Sequence, residues 1–302
     1  AEDHAKFEFK RGRPPRPKEA RKTQDAGTGH EACYHLISGV ATITAGIHRI
    51  RQERLPIEPD PELSHAANFL YMMNGRRPSP VEERIMDVAL ILHADHGMNA
   101  STFASMVVAS TLSDIYWAIG SGIGALNGPL HGGANEQVLH MLKEIGEPDN
   151  VEAWFGRARA RRQKVMGFGH RVYKAYDPRA RVLGPLARYA VAGNKQAGVL
   201  FRTARALEKK VVAELGATKS IFPNVDFYSG IVYSAMGLPP AMFTPIFAVS
   251  RVSGWAARVL EYLGNNRIFR PRAMYVGGFG KDYVPLKRRR RRLPSGKYPR
   301  SS

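Results

Sequence analysis

Apolar residues recur every three or four positions through most of the chain, which is the period of amphipathic α-helices. The pattern begins at Leu36, after a segment rich in Pro, Gly and charge that shows neither a helical nor a strand period. A first amphipathic helix is predicted there, ended by the prolines at positions 56 and 59. Its apolar stripe is formed by Ile37, Val40, Ile43, Ile47 and Ile50.

Helix-start and helix-stop signals divide the rest of the chain. Asp60-Pro61-Glu62 offers an N-cap, a first-turn proline and an early acid, and Asn74-Gly75 stops that helix. Ser79-Pro80-Val81-Glu82 is a capping box with proline at the first helical position. Further helices are predicted over residues 101–119, 136–145, 151–162, 182–192, 200–215, 227–236 and 243–263. After glycines 120, 122 and 124, a break in the helical pattern is predicted at residues 127–133.

Strand character is confined to Tyr275-Val276 and Tyr283-Val284. The fold class predicted from the pattern is therefore all-α. With 302 residues the chain is long enough for one large domain or two lobes. No apolar run reaches the ~18 residues of a membrane span, and residues 1–22 lack the apolar core of a secretory signal.

Cys33 is the single cysteine, which excludes an intrachain disulfide and a multi-cysteine metal site. A reducing compartment fits this usage, so a cytoplasmic location is expected.

The net charge of +19 is concentrated at the two ends of the sequence. Residues 1–22 hold eight Lys or Arg against four Asp or Glu, and residues 287–302 hold eight Lys or Arg and no acid. Such segments either bind nucleic acid in a salt-dependent manner or remain solvated tails without a partner, and we favour the solvated tails. The remaining charge is modest and suits anionic small substrates.

Three proton-handling side chains lie at three separate breaks in the helical pattern. His131 is flanked by glycines just before a new helix, whose dipole disfavours the imidazolium; a neutral imidazole can donate one N–H to a developing oxyanion. His170 follows Gly167 and Gly169, which are free to adopt positive φ close to a ligand. Asp226 lies between two apolar residues, where lost hydration would make it a stronger base, although an ordinary helix cap has the same pattern.

Two arginines and a further histidine accompany these groups. Arg179 offers a planar fork for a carboxylate or phosphate, and Arg251 lies on an otherwise apolar helix face, where it needs an anionic partner. His96 follows a predicted helix end one turn after His93. That spacing admits a metal site, but no third ligand is evident nearby, so we favour a substrate-contacting His96 and no metal.

Several motifs, in this order, resemble those of the citrate synthase family. They are residues 95–99, 128–135, 167–171 with 177–179, 224–230, 249–251 and 270–272. The resemblance extends from about Leu36 to about Tyr283 and is closest to the shorter bacterial and archaeal members. Residues 1 to about 35 do not match the several N-terminal helices and small sheet that the family carries, and the arginine run after Lys287 also departs from it.

The resemblance implies a large helical domain and a small one that closes over a cleft, in a homodimer. On this sequence the large domain would comprise residues 37–133 and 241–286, and the small domain residues 134–240. Residues 1–36 and 287–302 would be basic tails outside both domains.

The resemblance also implies the substrates, acetyl-CoA and oxaloacetate, and no cofactor beyond the CoA thioester. Asp226 would deprotonate the acetyl methyl group, His131 would bind the thioester oxygen, and His170 would polarise the oxaloacetate ketone. Oxaloacetate would be bound by His96, Arg179, Arg251 and, from the other subunit, Arg270. The implied CoA site comprises Lys164, Val165, Met166, Gly167, Phe168 and Gly169, which cradle adenine, with Arg171 and Lys174 at the phosphates.

Two alternatives remain beside a citrate-forming enzyme. A 2-methylcitrate synthase would run the same chemistry on propionyl-CoA, and one methyl group is worth only about 1–3 kcal/mol of discrimination. A basic binding protein built on the same scaffold, without activity, would use its tails to hold nucleic acid. The presence of His131, His170 and Asp226 argues against that protein.

Overall fold

The computed structural model describes residues 28–129, 131–170, 173 and 175–289, in which helices form nearly all the regular structure. The longer helices are α1 (Thr28–Ile50), α2 (His65–Asn74), α3 (Pro80–Ala94), α4 (Ala100–Ser110), α5 (Ile115–Leu126), α6 (Ala134–Ile145), α7 (Val151–Ala160), α8 (Pro178–Ala190), α9 (Lys195–Val211), α10 (Asp226–Ala235) and α11 (Phe243–Leu263). A π-helix, Val212–Gly216, extends α9, and short helical turns occupy Pro148–Asn150, Ala217–Lys219, Pro240–Met242 and Leu286–Arg288. The all-α prediction is confirmed.

The strands predicted at Tyr275-Val276 and Tyr283-Val284 are wrong. Both lie in irregular, exposed backbone, and no neighbouring strand is available to pair with them in the described part of the chain. The one β-bridge among the described residues joins Phe168 to Pro223. High β-propensity in a few residues is not enough to form a strand, because a strand is stabilised by its cross-strand neighbours.

The predicted helix signals at α2 and α3 are confirmed with one exception. Ser79 and Glu82 form the full capping box with Pro80 in the first turn, and Gly75 ends α2 in the left-handed conformation at φ 75°. However, α2 is capped by Ser64, whose side chain accepts from the Ala67 N–H. Asp60 instead accepts the Glu62 N–H in the preceding turn, so the cap predicted at Asp60 is wrong.

Helix α1 begins at Thr28, well before the predicted start at Leu36. Only the first part of its predicted stripe packs on the core, through the half-buried Ile37 and Val40. Ile43, Ile47 and Ile50 are 62%, 49% and 62% exposed. The buried face is formed mainly by small residues: Ala32, Cys33, Ala41, Thr44 and Ala45. Small side chains let α2 and α11 approach α1 closely, and this tertiary preference overrides the size of the isoleucines.

The single helix predicted over residues 101–119 is two helices, because α4 ends at Ser110 and Asp114 caps the start of α5. Glycines 120, 122 and 124, which follow the predicted helix in the sequence, lie inside α5. A Cβ on Gly122 would be 2.4 Å from Ser105 Oγ and 3.1 Å from the Trp255 ring. Glycine at this position therefore allows α5 to pack directly on α4 and α11.

Two clusters of buried apolar side chains form the core. One draws on α1–α3, α6–α10 and the first part of α11, and the other on α1, α4, α5 and the later part of α11. Helix α11 therefore runs through both clusters. The chain divides into two units, one ending at Phe269, which contains both clusters, and one starting at Arg270. The described residues of the second unit, 270–289, are irregular apart from the turn Leu286–Arg288.

No single helix in the described ranges is long and apolar enough to cross a membrane. Asp226–Ala235 and Pro240–Leu263 pass that test only as a pair, and the pair is bent by 120° at its break.

Candidate active site

His96 and His170 meet although 74 positions separate them in the sequence. Helix α3 ends at Ala94 with Asp95 as its C-cap, so the chain turns sharply just before His96. The Nε2 atoms of His96 and His170 are 3.1 Å apart, and the two rings stack with their centroids separated by 4.9 Å. Tyr173 packs against both rings and donates its backbone N–H to His170 Nδ1 at 3.1 Å.

This hydrogen-bond pattern determines the imidazole tautomers. Since His170 Nδ1 accepts a backbone N–H, the proton of the neutral ring is on Nε2 and is donated to His96 Nε2. Burial, followed by the nearby Arg179, lowers the pKa of His96 to about 4 and lowers that of His170 as well. Both rings are therefore neutral near pH 7, and His170 holds an N–H donor inside the site.

Asp177 and Arg179 form a buried ion pair at the start of α8. The Asp177 carboxylate caps the helix by accepting the Arg179 backbone N–H, and it also accepts Arg179 Nε at 3.1 Å and Nη2 at 2.8 Å. It further accepts the Val225 N–H at 3.3 Å, next to Asp226. Asp177 therefore determines the orientation of Arg179 and ties it to the segment that carries Asp226.

Residues 167–169 and 222–224 are joined side by side by three hydrogen bonds. Gly169 donates its N–H to Phe222 O at 2.8 Å, Asn224 donates its N–H to Gly167 O at 2.9 Å, and Asn224 Nδ2 donates to Gly169 O at 3.0 Å. Gly167 and Gly169 have φ values of 78° and 79°, as predicted. A Cβ on Gly167 would be 3.0 Å from the Phe227 backbone, so only glycine lets the segments approach.

Asp226 is the first residue of α10, directly after this junction, and its N–H is donated to Asn224 Oδ1 at 3.1 Å. Burial raises the pKa of Asp226 to about 6, against the opposing fields of Arg179 and Arg251. A carboxylate with this pKa is ionised near neutral pH and is a stronger base than an ordinary aspartate.

His131 binds the N-terminus of α4. The Ser101 backbone N–H is donated to His131 Nε2 at 3.3 Å, and Ser101 Oγ lies 2.9 Å from the same atom. Nε2 is therefore an acceptor, and the ring proton is on Nδ1, which can face a ligand. Burial, followed by Arg251, lowers the pKa of His131, so this imidazole is also neutral near pH 7.

Arg251 is a buried cation on α11 that forms no ion pair with the described residues. It is 1% exposed, donates Nε to the His93 carbonyl at 2.6 Å, and lies over the Phe247 ring at 4.6 Å. Burial and the neighbouring Arg179 lower its pKa to about 10. A buried guanidinium with unused donors is a site for an anion, since an uncompensated buried charge is costly.

Six of the predicted residues therefore share one region: His96, His131, His170, Arg179, Asp226 and Arg251. Electrostatic interactions link Arg251 to His131, Asp226 and Arg179, and link Arg179 to both His96 and His170. Arg270 belongs to the second unit of the chain. In the described residues no group of three or more His, Cys, Asp or Glu side chains could hold a metal ion.

The segment predicted to cradle CoA is only partly open. Lys164 is exposed and Val165 and Met166 are half-buried, but Gly167 and Phe168 are buried, and Gly169 is engaged in the junction with residues 222–224. Arg171 and Lys174 lie outside the described residues. The CoA assignment stays a prediction, with free backbone groups concentrated at residues 164–166.

Sequence reasoning missed Ser101, Asn224 and Tyr173. Ser101 lies just after one predicted motif and Asn224 is the first residue of another. Each contacts a residue distant in sequence, so no local pattern identifies these contacts. Asn224 opened one of the recognised motifs, but its contacts with residues 167–169 were not foreseen. Tyr173 follows His170 closely, and its backbone rather than its side chain contributes the hydrogen bond.

Comparison with known proteins identifies close relatives. A family model described as the citrate synthase C-terminal domain matches residues 13–272, so the match starts earlier than the expected Leu36 and stops before Tyr283. The chain is 50% identical over 254 residues to the citrate synthase of Deinococcus radiodurans, covering 84% of this chain and 67% of that protein. It is 47% identical over 260 residues to the citrate synthase of Synechocystis sp., covering 85% of this chain and 64% of the relative. The chain thus spans about two thirds of these relatives.

Solved structures give the same similarity. The crystal structure of citrate synthase from Pyrobaculum aerophilum superposes with a TM-score of 0.83 at 46% identity, covering 90% of this chain and 69% of that one. The ternary complex of carboxymethyl coenzyme A and oxaloacetate with the citrate synthase of the archaeon Thermoplasma acidophilum gives a TM-score of 0.81 at 40% identity, covering 87% and 70%.

Proposed function

The chain belongs to the citrate synthase family, and from that premise we propose that it condenses acetyl-CoA with oxaloacetate and hydrolyses the resulting citryl-CoA to citrate and CoA. The observation that carries the proposal is the combination of a base and two neutral imidazole donors in one half-buried region beside the buried Arg251. Asp226, with its raised pKa, lies within the fields of Arg179 and Arg251, and the neutral His131 and His170 accompany it.

The first step would be enolisation of the thioester. The methyl group of acetyl-CoA is a very weak acid, so a carboxylate base needs simultaneous help at the carbonyl. Asp226 would accept the proton while the Nδ1–H of His131 binds the thioester oxygen as charge develops on it. One such donor is worth roughly 10²- to 10³-fold in rate. The Ser101 N–H supports this role because it holds Nε2 of His131 as the acceptor.

The second step would be attack of the enol carbon on the oxaloacetate ketone. The Nε2–H of His170, which is donated to His96 without substrate, would be donated to the ketone oxygen and transferred to the new alkoxide. The proton that Asp226 took from the methyl group would then return the imidazole to its neutral form, so that no proton is gained or lost overall. Arg251, which has no acidic partner among the described residues, would bind one substrate carboxylate, and Arg179 and His96 would bind elsewhere on the molecule. Closure of residues 134–240 over the rest, as the family implies, would exclude water until condensation.

We propose a homodimer formed through α5. Its exposed face carries Trp117, which is 73% exposed, together with Tyr116 and Ile123. Gly120 and Gly124 lie on the same face with open space around them, which would let a second copy approach closely. Arg270 would then complete the oxaloacetate site from the partner. A cytoplasmic location is proposed as well, because the one cysteine is a buried free thiol.

The activity is tested by following free-thiol release with purified protein and identifying the product by mass spectrometry. We expect citrate and CoA, and a higher kcat/KM for acetyl-CoA than for propionyl-CoA. A strong preference for propionyl-CoA would make the protein a 2-methylcitrate synthase. Absence of thiol release by a folded dimer would favour the binding protein.

The dimer is tested by light scattering after size exclusion. Trp117→Glu is expected to yield monomers. Val81→Glu, which alters another exposed apolar position, is expected to leave the dimer intact and serves as the control. A dimeric Trp117→Glu variant would contradict an interface through α5.

A further inference from the structure

Glu208 is a buried acid on α9 that takes no part in the proposed chemistry. It is 7% exposed. One of its oxygens, Oε1, accepts the hydroxyl of Tyr176, and the other, Oε2, accepts the hydroxyl of Tyr228 and Arg205 Nη1. Arg205 Nη1 also lies 3.1 Å from the Tyr228 hydroxyl. Burial together with Glu208 places the pKa of both tyrosines above the usual range, so both remain neutral donors.

The first tyrosine connects Glu208 to the segment that orients Arg179. Tyr176 immediately precedes Asp177, whose carboxylate holds Arg179 and the Val225 N–H. The Tyr176 ring also lies 6.3 Å from that of Phe222, the residue whose carbonyl accepts the Gly169 N–H. A displacement of Tyr176 would therefore be transmitted to Arg179 and to the junction between the two segments.

The second tyrosine connects Glu208 to the proposed base. Tyr228 is fully buried and lies two residues after Asp226, in the first turn of α10. Its ring packs on Gly184 of α8, where a Cβ would be 3.0 Å from the ring. The packing of the ring therefore confines the Tyr228 hydroxyl to Glu208 and Arg205 unless the start of α10 moves.

A buried acid bonded to three donors is not required for stability alone. Apolar side chains of similar volume commonly replace such groups at no cost, whereas removal of one partner leaves buried donors unsatisfied. The Glu208 carboxylate instead holds two segments from different parts of the chain, those that carry Tyr176 and Tyr228, in a fixed position relative to each other.

We propose that Glu208 is a positioning residue of the reaction: by holding the hydroxyls of Tyr176 and Tyr228 on one carboxylate, it fixes the Asp177–Arg179 pair relative to Asp226. This inference rests on the proposed function. The hydrogen bond from Tyr176 to Glu208 would support oxaloacetate binding, because Tyr176 precedes the Asp177–Arg179 pair. The hydrogen bond from Tyr228 to Glu208 would support proton abstraction, because Tyr228 lies two residues after Asp226.

Removal of the two tyrosine hydroxyls is expected to have different effects on binding and on turnover. Tyr176→Phe, which removes one hydroxyl, is expected to raise the Kd for oxaloacetate about fivefold with little change in kcat. Tyr228→Phe is expected to lower the kcat of thiol release about tenfold with little change in that Kd, because small misplacements of a base reduce rates steeply. Glu208→Gln is expected to produce both effects, and adding Tyr176→Phe to Glu208→Gln should raise Kd little further.

The matched control is Glu214→Gln. Glu214 also forms ion pairs, with Arg159 and Lys210, but it contacts neither segment of the site. This variant is expected to shift the unfolding midpoint only. Kd is measured by isothermal titration calorimetry, which requires no turnover. An inactive wild-type protein would therefore contradict the proposed function, while the effect of each variant on oxaloacetate binding could still be measured.

Two results would overturn the inference. One is a Glu208→Gln variant with wild-type Kd and kcat, or with a change in unfolding midpoint alone, as for Glu214→Gln. The other is that both tyrosine variants show the same rise in Kd and the same fall in kcat. Should Glu208→Gln fail to fold, the two tyrosine variants decide alone, since each retains its ring and loses a single hydroxyl.

Discussion

The two sides of the candidate site are built differently. The loop side (residues 167–170, 173, 175–179 and 222–226) carries His170, Arg179 and Asp226. Hydrogen bonds join its two segments to each other, and Phe168 and Val225 also pack into the core. The helix side (residues 93–101, His131 and Arg251) is held by close contact between helices. There the Ser101 N–H and the His93 carbonyl bind the functional side chains directly.

Because of this difference, we expect substitutions on the loop side to affect activity and substitutions on the helix side to affect stability. A single lost hydrogen bond on the loop side would shift a reactive group while the helical core stays intact. A small increase in volume on the helix side would force helices apart and unfold the protein first. Substitutions on the two sides test this separation.

Asp226→Asn should abolish most activity while the loop side keeps its structure. The change preserves the shape of the side chain and removes the base, so kcat is expected to fall roughly a thousandfold. Oxaloacetate binding, measured by calorimetry, should change far less, because His96, Arg179 and Arg251 are retained. Equal losses in kcat and in binding would argue against Asp226 as the base.

Gly254→Ala should instead break the helix side. A Cβ at Gly254 of α11 would be 2.0 Å from the Ala94 carbonyl oxygen, a contact with backbone that cannot yield cheaply. We expect a loss of about 3 kcal/mol in the free energy of unfolding, measured by urea denaturation. Gly156→Ala is the control: it lies in α7 with nothing near its Cβ position and should be stabilising by about 0.5–1 kcal/mol. A Gly254→Ala variant as stable as wild type would remove the distinction between the two sides.

Parts of the fold and of the candidate site were predictable from sequence. The capping box at Ser79, the stop at Gly75, the buried Arg251 and the positive φ of Gly167 and Gly169 follow from rules that depend on a few neighbouring residues. The stripe of Ile43, Ile47 and Ile50 misled because which face is buried depends on the partner helices. The close packing of Gly122 on Trp255 and the contact of Ser101 with His131, 30 positions away, could not be predicted because both depend on helices that are distant in sequence.

The free energy of unfolding should depend on pH because Asp226 is costly to ionise in its buried position. Its pKa is about 6 in the folded chain against an ordinary 3.8, so the folded state holds the proton more tightly. Ionised Asp226 therefore costs up to about 3 kcal/mol of stability at neutral pH, and this cost declines as pH falls through 6 and vanishes below 3.8. Asp226→Asn should accordingly be more stable than wild type at pH 7, with the difference lost by about pH 4. A difference that does not vary with pH would contradict the raised pKa.

Ser101→Ala should have the smallest effect of this series. The hydroxyl shares His131 Nε2 with the backbone N–H, which remains after substitution, so the tautomer is retained with weaker orientation. We expect kcat to fall about fivefold with little change in oxaloacetate binding. Ser121→Ala on α5, whose hydroxyl bonds only within its own helix, should leave kcat unchanged. A Ser101→Ala variant that loses oxaloacetate binding would assign Ser101 to the other substrate.

The most direct test of the account is whether the protein removes a proton from the methyl group of acetyl-CoA. Wild type and Asp226→Asn would be incubated in heavy water with acetyl-CoA and L-malate, a dicarboxylate that lacks the ketone needed for condensation, and deuterium in the recovered thioester would be measured by mass spectrometry. The account predicts incorporation with wild type and almost none with Asp226→Asn. Equal incorporation by the two proteins, or none by folded wild type, would contradict it.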